Sequence, residues 1–252
     1  GLRPAKLFVD RDFSSRRPFF AKIPLMHSYV QALQAHLQPQ ANPAEAGPMS
    51  RYMRDQFPFL GLKTPARRVL LDTFLATHGL PPLSDLDLIL KELWSLPERE
   101  YQYSALTLLD KVTKKLPADA VGLLEYLITH KSWWDTVDSL AGHAVAVHFQ
   151  RCPTVRDATL PVWRSSANFW LRRTTLLFQL SYKANTDVEL LFSLIRENLD
   201  SDEFFIQKAI GWALREYSKT DAQAVVEFIH ATPLPALSAR EGLKWLQNQG
   251  RL

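Results

Sequence analysis

A single cysteine, Cys152, stands in the 252 residues, so no disulfide can close within the chain and no cysteine-based zinc site can form. That fits a reducing compartment. The seven histidines contain no H-x-x-x-H pair, and no Gly-rich phosphate loop or nucleophile elbow is present. Phosphotransferase and metallohydrolase chemistry therefore lack their usual residues. No run approaches roughly 18 consecutive apolar residues, the length that would be read as a membrane span, and the chain is expected to be soluble. Charge of one sign is scarce too: 30 Lys plus Arg against 26 Asp plus Glu give a formal net charge of +4. Such a mild excess is compatible with a polyanionic partner and does not require one.

What is present is helix. From Pro24 onward strand signals are nearly missing, while apolar residues recur at helical period between caps and prolines. Leu25 to Leu37 reads as a first amphipathic helix, ANPAEAGP as a loop, and Met49 to Phe57 as a second helix. Thr64-Pro65 reads as a cap followed by proline at the first helical position. Later starts are expected at Ser84, Pro97-Glu98, Pro117, Ser132, Pro153, Asn168, Thr186, Ser201 and Thr220, and at Ser238, where Ser-Ala-Arg-Glu has the form of a capping box. About a dozen short helices joined by Pro-rich turns predict an all-α fold, a curved solenoid of antiparallel helix pairs of the HEAT-like kind. A compact helical bundle is the other arrangement compatible with the pattern. Residues 1–23 show no clear periodicity and are expected to be an N-terminal extension, poorly ordered or left from cloning, with a DNA-contacting arm as the other reading; 24–252 form the folded domain.

Within that pattern one run stands out, Lys131-Ser132-Trp133-Trp134-Asp135-Thr136-Val137-Asp138. Trp133, Val137, Leu140, Ala144 and Val147 form an apolar stripe that should pack inward. Trp134 and Asp138 sit about 100° round from it, one above the other. A carboxylate beside an indole on a face that burial does not claim suits a ligand; a helix-dipole acid, which Asp135 also resembles, is the plainer reading. Trp134 to Arg173 and Arg173 to Trp212 are both intervals of 39 residues, which suggests stacked repeats presenting one surface. Lys208, Trp212 and Arg215 share a helix face at i, i+4 and i+7, where two cations could meet phosphates and the ring a sugar edge. Residue patterns alone leave open which of Arg172 and Arg173 would bind phosphate.

Arg51-Tyr52-Met53, Phe59-Leu60-Gly61-Leu62-Lys63-Thr64-Pro65, Glu92-Leu93-Trp94, Leu96-Pro97-Glu98-Arg99-Glu100, Lys131 to Asp138, Trp170-Leu171-Arg172-Arg173 and Phe204 to Trp212 together carry a resemblance. The chain resembles, from about residue 25 to its C-terminus, the DNA alkylation repair family of HEAT-like-repeat DNA glycosylases. The resemblance implies hydrolysis of the N-glycosidic bond of cationic N3- and N7-alkylated purines in double-stranded DNA, without base flipping, cofactor or metal. It implies Asp138 as the catalytic acid group, Trp134 and Trp212 as the cleft indoles, Arg173 as an arginine that meets backbone phosphate, and Tyr52 as a further cleft aromatic. A bacterial-type, cytoplasmic, monomeric enzyme is the corresponding expectation. A non-catalytic helical scaffold for DNA or protein is the alternative, and the Asp138 carboxylate argues against it, because a pure phosphate binder gains nothing from a repelling charge.

Overall fold

The computed structural model describes residues 26–251, and every regular element among them is helical. The expectation for residues 1–23 lies outside the described residues. In chain order the α-helices are α1 (Ser28–Leu37), α2 (Pro43–Tyr52), α3 (Thr64–His78), α4 (Leu86–Ser95), α5 (Arg99–Val112), α6 (Val121–Thr129), α7 (Trp134–Ser139), α8 (Ala146–Arg151), α9 (Pro153–Arg164), α10 (Phe169–Leu177), α11 (Val188–Arg196), α12 (Phe204–Tyr217), α13 (Ala222–Ala231) and α14 (Ala236–Asn248). They stack in two rows. One row runs α3, α5, α7, α10, α12, α14, each touching the next, and the second row, α1, α4, α6, α11 and α13 among others, packs behind it. This is a helical-repeat arrangement, as the helix pattern predicts. A continuous apolar core from Val30 to Ile229 fills the space between the rows.

Local chemistry explains the ends. Asn168 accepts from the Trp170 amide at 2.9 Å, Asp187 from Leu190 at 3.0 Å, Glu203 from Phe205 at 3.3 Å and Asp221 from Ala224 at 2.9 Å, so four helices of the later half start on side-chain caps. Gly79 closes α3 with a φ of 69°.

The starts expected at Ser84, Ser132, Thr186, Ser201 and Thr220 fall one or two residues before the N-caps Asp85, Trp133, Asp187, Glu203 and Asp221, and three further boundaries depart from the sequence-based expectation. The segment ANPAEAGP is helix: Asn42 caps the Ala44 amide at 3.2 Å and Pro43 takes the first helical position, so α2 begins there and ends at Tyr52, well before Phe57. Its end is a turn in which Arg54 and Asp55 both have a φ of 55°. At α14 the apparent capping box is no cap, because the helix starts at Ala236 and the buried Ser238 hydroxyl donates to the Gln207 carbonyl at 2.9 Å. At α3 the N-cap is Lys63, and Thr64 is already helical.

A π-helical segment, Leu140–Val145, joins α7 to α8. Its wider turn shifts the inward face, so that Val145, Ala146, His148 and Phe149 are buried where a strict α period would bury Val147. Trp133 precedes α7 as its extended N-cap rather than heading the apolar stripe.

Candidate functional site

The row α7, α10, α12, α14, together with the end of α2, encloses an open cavity of about 290 Å³. Trp134 and Asp138 enter it from α7, Arg173 from α10, Lys208, Trp212 and Arg215 from α12, Glu241 from α14, and Tyr52 from α2. Residues spaced by 39 thus meet at one cavity because successive helices of the same row present the same face. Tyr52 is 72% exposed and stands edge-on to Trp134, ring centroids 6.2 Å apart. Beneath lies an aromatic floor. Phe205 packs on Trp133 at 5.1 Å and on Trp170 at 5.0 Å, and Trp133 meets Trp170 at 6.1 Å. Such pairs add about 0.5–1.5 kcal/mol each beyond area burial, which makes the floor stiff.

Asp138 is held by a fork. Arg173 donates from Nε at 2.7 Å and from Nη2 at 2.8 Å to its two carboxylate oxygens, and from Nη1 to the Phe205 carbonyl. The aspartate side chain keeps 14% of its surface and the arginine 4%. Burial pushes the Asp138 carboxyl above the usual aspartate value; the Arg173 bonds and charge pull against that, and the Asp135 charge adds to it. The result is a fixed, partly desolvated carboxylate facing an apolar-walled cavity.

Arg173 is therefore a partner of Asp138 first: all three guanidinium nitrogens donate within the protein, and the phosphate contact expected of it from the resemblance finds no unengaged nitrogen in this arrangement. Lys208 and Arg215 are also engaged. Glu241 accepts from Lys208 at 3.1 Å and from Arg215 at 2.9 Å. The site still holds more positive than negative charge, since Arg54, Arg173, Lys208 and Arg215 face Asp138 and Glu241. Sequence reasoning missed Glu241, which it assigned to a capping box. The available signal was Gly211, set between Ile210 and Trp212 in an otherwise side-chain-rich helix. A Cβ there would lie 2.5 Å from the Glu241 Cβ and 3.0 Å from the Ser238 carbonyl oxygen, so α12 and α14 cross with backbones nearly touching and Glu241 is fixed over the α12 cations.

Two adjacent residues at the start of α5 hold the cavity's aromatic edges. Arg99, fully buried, donates to Asp135 at 3.0 and 2.7 Å, to Thr136 Oγ1 at 2.9 Å and to the Lys131 carbonyl at 2.9 Å, pinning the beginning of α7. Tyr103 adds a hydroxyl donor to Asp135 at 2.8 Å, which makes that aspartate structural rather than a free dipole acid. Glu100 accepts from the amides of Leu60, Gly61 and Leu62 at 2.9, 2.9 and 3.0 Å. Asn42 donates to the Leu60 carbonyl at 2.7 Å, so the same loop carries α2 and Tyr52.

Among the described residues no group of three or more His, Cys, Asp and Glu side chains is placed to hold a metal ion, and no helix is long and apolar enough to cross a membrane. No curated protein matches the chain significantly. A solved structure from Enterococcus faecalis, described as a predicted DNA alkylation repair enzyme, is 37% identical, with 82% of this chain and 96% of that chain covered and a TM-score of 0.75. The family model described as DNA alkylation repair enzyme matches residues 33–246. With six-sevenths of its length inside that match and its helical rows closing on one aromatic, charged cavity, the chain belongs to the DNA alkylation repair enzyme family.

Proposed function

We propose that the protein is a monofunctional DNA glycosylase that hydrolyses the N-glycosidic bond of cationic N3- and N7-alkylated purines in duplex DNA. The observation that carries this reading is the Asp138 carboxylate, fixed by Arg173 in the cavity that Trp134 and Trp212 also line. Alkylation at N3 or N7 makes the base cationic, so its bond to C1′ breaks with the electron pair going to the base, which leaves neutral and needs no protonation. The sugar is left as an oxocarbenium-like cation. Water adds to C1′ and loses a proton.

Each wall of the cavity has a task in that scheme. At about 4 Å and an effective dielectric near 20, a carboxylate attracts a full positive charge by about 4 kcal/mol. Part of that attraction is already present before the bond breaks, and the remainder still suffices for a rate factor on the order of a hundred. In this scheme Asp138 also orients the water. The electron-rich faces of Trp134 and Trp212 add about 0.5–2 kcal/mol each toward the sugar cation. Arg173 acts through Asp138 as a positioning residue. Tyr52 lies along the DNA backbone, and Lys208 and Arg215 take phosphates in exchange for Glu241. A shallow cleft of about 290 Å³ that opens to solvent favours contact with backbone and sugar over an extruded base.

The test is release of alkylated base, read as alkali-labile breaks in methylated duplex DNA. Asp138→Asn is expected to keep duplex affinity within about twofold and to lose a factor of about one hundred or more in excision rate. Undiminished excision by that variant rejects the assignment, as would absence of excision by the unaltered protein.

A further inference from the structure

A second groove, about 360 Å³, lies beside the first, and Tyr52 forms part of both walls. Its other sides are the face of α2 around Met49, the first turn of α3 with Lys63, Thr64 and Arg67, and Tyr103 of α5. Arg67 is the anomaly. Only 7% of it is exposed, and its Nε and Nη1 are buried with no acceptor. The Tyr103 ring, 4.9 Å from its guanidinium carbon, is the visible compensation. The two nearby carboxylates serve elsewhere: Glu100 holds three backbone amides, and Asp135 is bonded to Arg99 and Tyr103. Burial pulls the Arg67 guanidinium below its ordinary value, although Tyr103 and Glu100 counter it. A buried cation without a counter-ion is costly, and a fold that keeps one gains when an anion arrives.

The same wall contains the start of α3, fifteen residues long, with no side-chain cap and no acidic residue in its first turn. Its positive end therefore faces the groove, where Glu45 is the one acidic residue of the lining and is taken up by Lys63. Lys63 sits at the mouth, paired at 2.7 Å with Glu45. A phosphate oxygen has two negative-seeking features here, one buried and one at a helix end.

We propose that this groove is a second phosphate-binding site, taking a phosphodiester of the DNA strand that passes Tyr52, with Arg67 and the amino end of α3 as its donors. The inference rests on the reading of the protein as one that acts on DNA. It gives the cleft two backbone grips, Lys208 and Arg215 on one side of Tyr52 and Arg67 on the other.

Arg67→Met keeps the length of the stem and removes the charge. Measured by fluorescence anisotropy on undamaged duplex over a range of KCl, its affinity is expected to fall about tenfold at low salt, and the slope of log K against log[salt] to become shallower by about 0.9, the loss of one phosphate contact. Its thermal midpoint without DNA should be unchanged or higher, since the uncompensated charge is gone. Arg67→Lys should keep the slope. An unaltered slope for Arg67→Met, or a lower midpoint with an unaltered slope, overturns the proposal in favour of a packing role. If Arg67→Met does not fold, hydrogen exchange of the unaltered protein decides: added duplex should protect amides over 64–68, and no protection there overturns the site. Binding and excision are read separately. Duplex bound with the Arg67 signature but never cut removes the glycosylase reading and leaves this site, whereas cutting without the signature does the reverse.

Discussion

Asp138 and Arg173 form a pair whose two members are worth different things to the chemistry. On the proposed mechanism the carboxylate is ionised to face a sugar cation, and burial holds its pKa above the ordinary aspartate range. As pH falls, the carboxylate is protonated earlier than an exposed aspartate would be. Excision is therefore expected to lose rate on an acid limb centred above about pH 4, the range of an unperturbed aspartate, while duplex binding holds across the same interval. A single-turnover pH profile beside an anisotropy profile checks this, and parallel loss of both would point to unfolding instead. Arg173→Lys retains charge but not the fork, and should reduce excision by about tenfold or more because the carboxylate is no longer fixed at both oxygens. The spacing of Trp134, Asp138, Arg173 and Trp212 was readable in the sequence, since stacked helices preserve a register. That Arg173 faces Asp138 was not, because the contact joins helices 35 residues apart and depends on how α7 and α10 lie together. Glu241 was hidden for a related reason: four residues of a local motif described a cap, and only the crossing with α12 shows the glutamate's partners.

At the level of helices, the same contrast has a physical cause. Interiors with strong apolar period, such as α4, α11 and α12, were legible because burial of one face outweighs local preference. Ends were less so. Asn42-Pro43 is both a loop signature and the best possible helix start, and only the Leu60 carbonyl that receives the Asn42 amide decides between them. The π-turn at Leu140–Val145 has no sequence signal of the kind used for α-helices. Where α12 meets α14, Gly211→Ala is expected to cost about 1–3 kcal/mol through overpacking, seen as a lower thermal midpoint, and to weaken DNA binding as Glu241 and its two cations are pushed out of place. Gly61, with a φ of 87° and a Cβ position 2.0 Å from the Asn42 carbonyl oxygen, admits no side chain. Gly61→Ala should destabilise more severely than Gly211→Ala, because its positive φ adds backbone strain and its closest clash is shorter; denaturant titration of the two variants compares them.

Over the whole molecule, one row of helices with the end of α2 carries the candidate site, in a cavity open to solvent, and the core lies between that row and the second. On the proposed mechanism, selection of damage comes from the lesion's own charge and lability. Uncharged lesions such as uracil are expected to be released at least about a thousandfold more slowly than 7-methylguanine under identical conditions, because a neutral base must leave as an anion or be protonated, whereas a cationic one leaves neutral. Comparable rates in a base-release assay would contradict this.

The neighbouring side chains of Arg99 and Glu100 point to opposite banks of the cleft, one tethering the strand-entry into α7 and the other the loop beneath Tyr52. A single peptide unit thus acts as the rivet of a pair of callipers: the gap between the two aromatic jaws is gauged by covalent geometry, the least variable ruler a protein possesses.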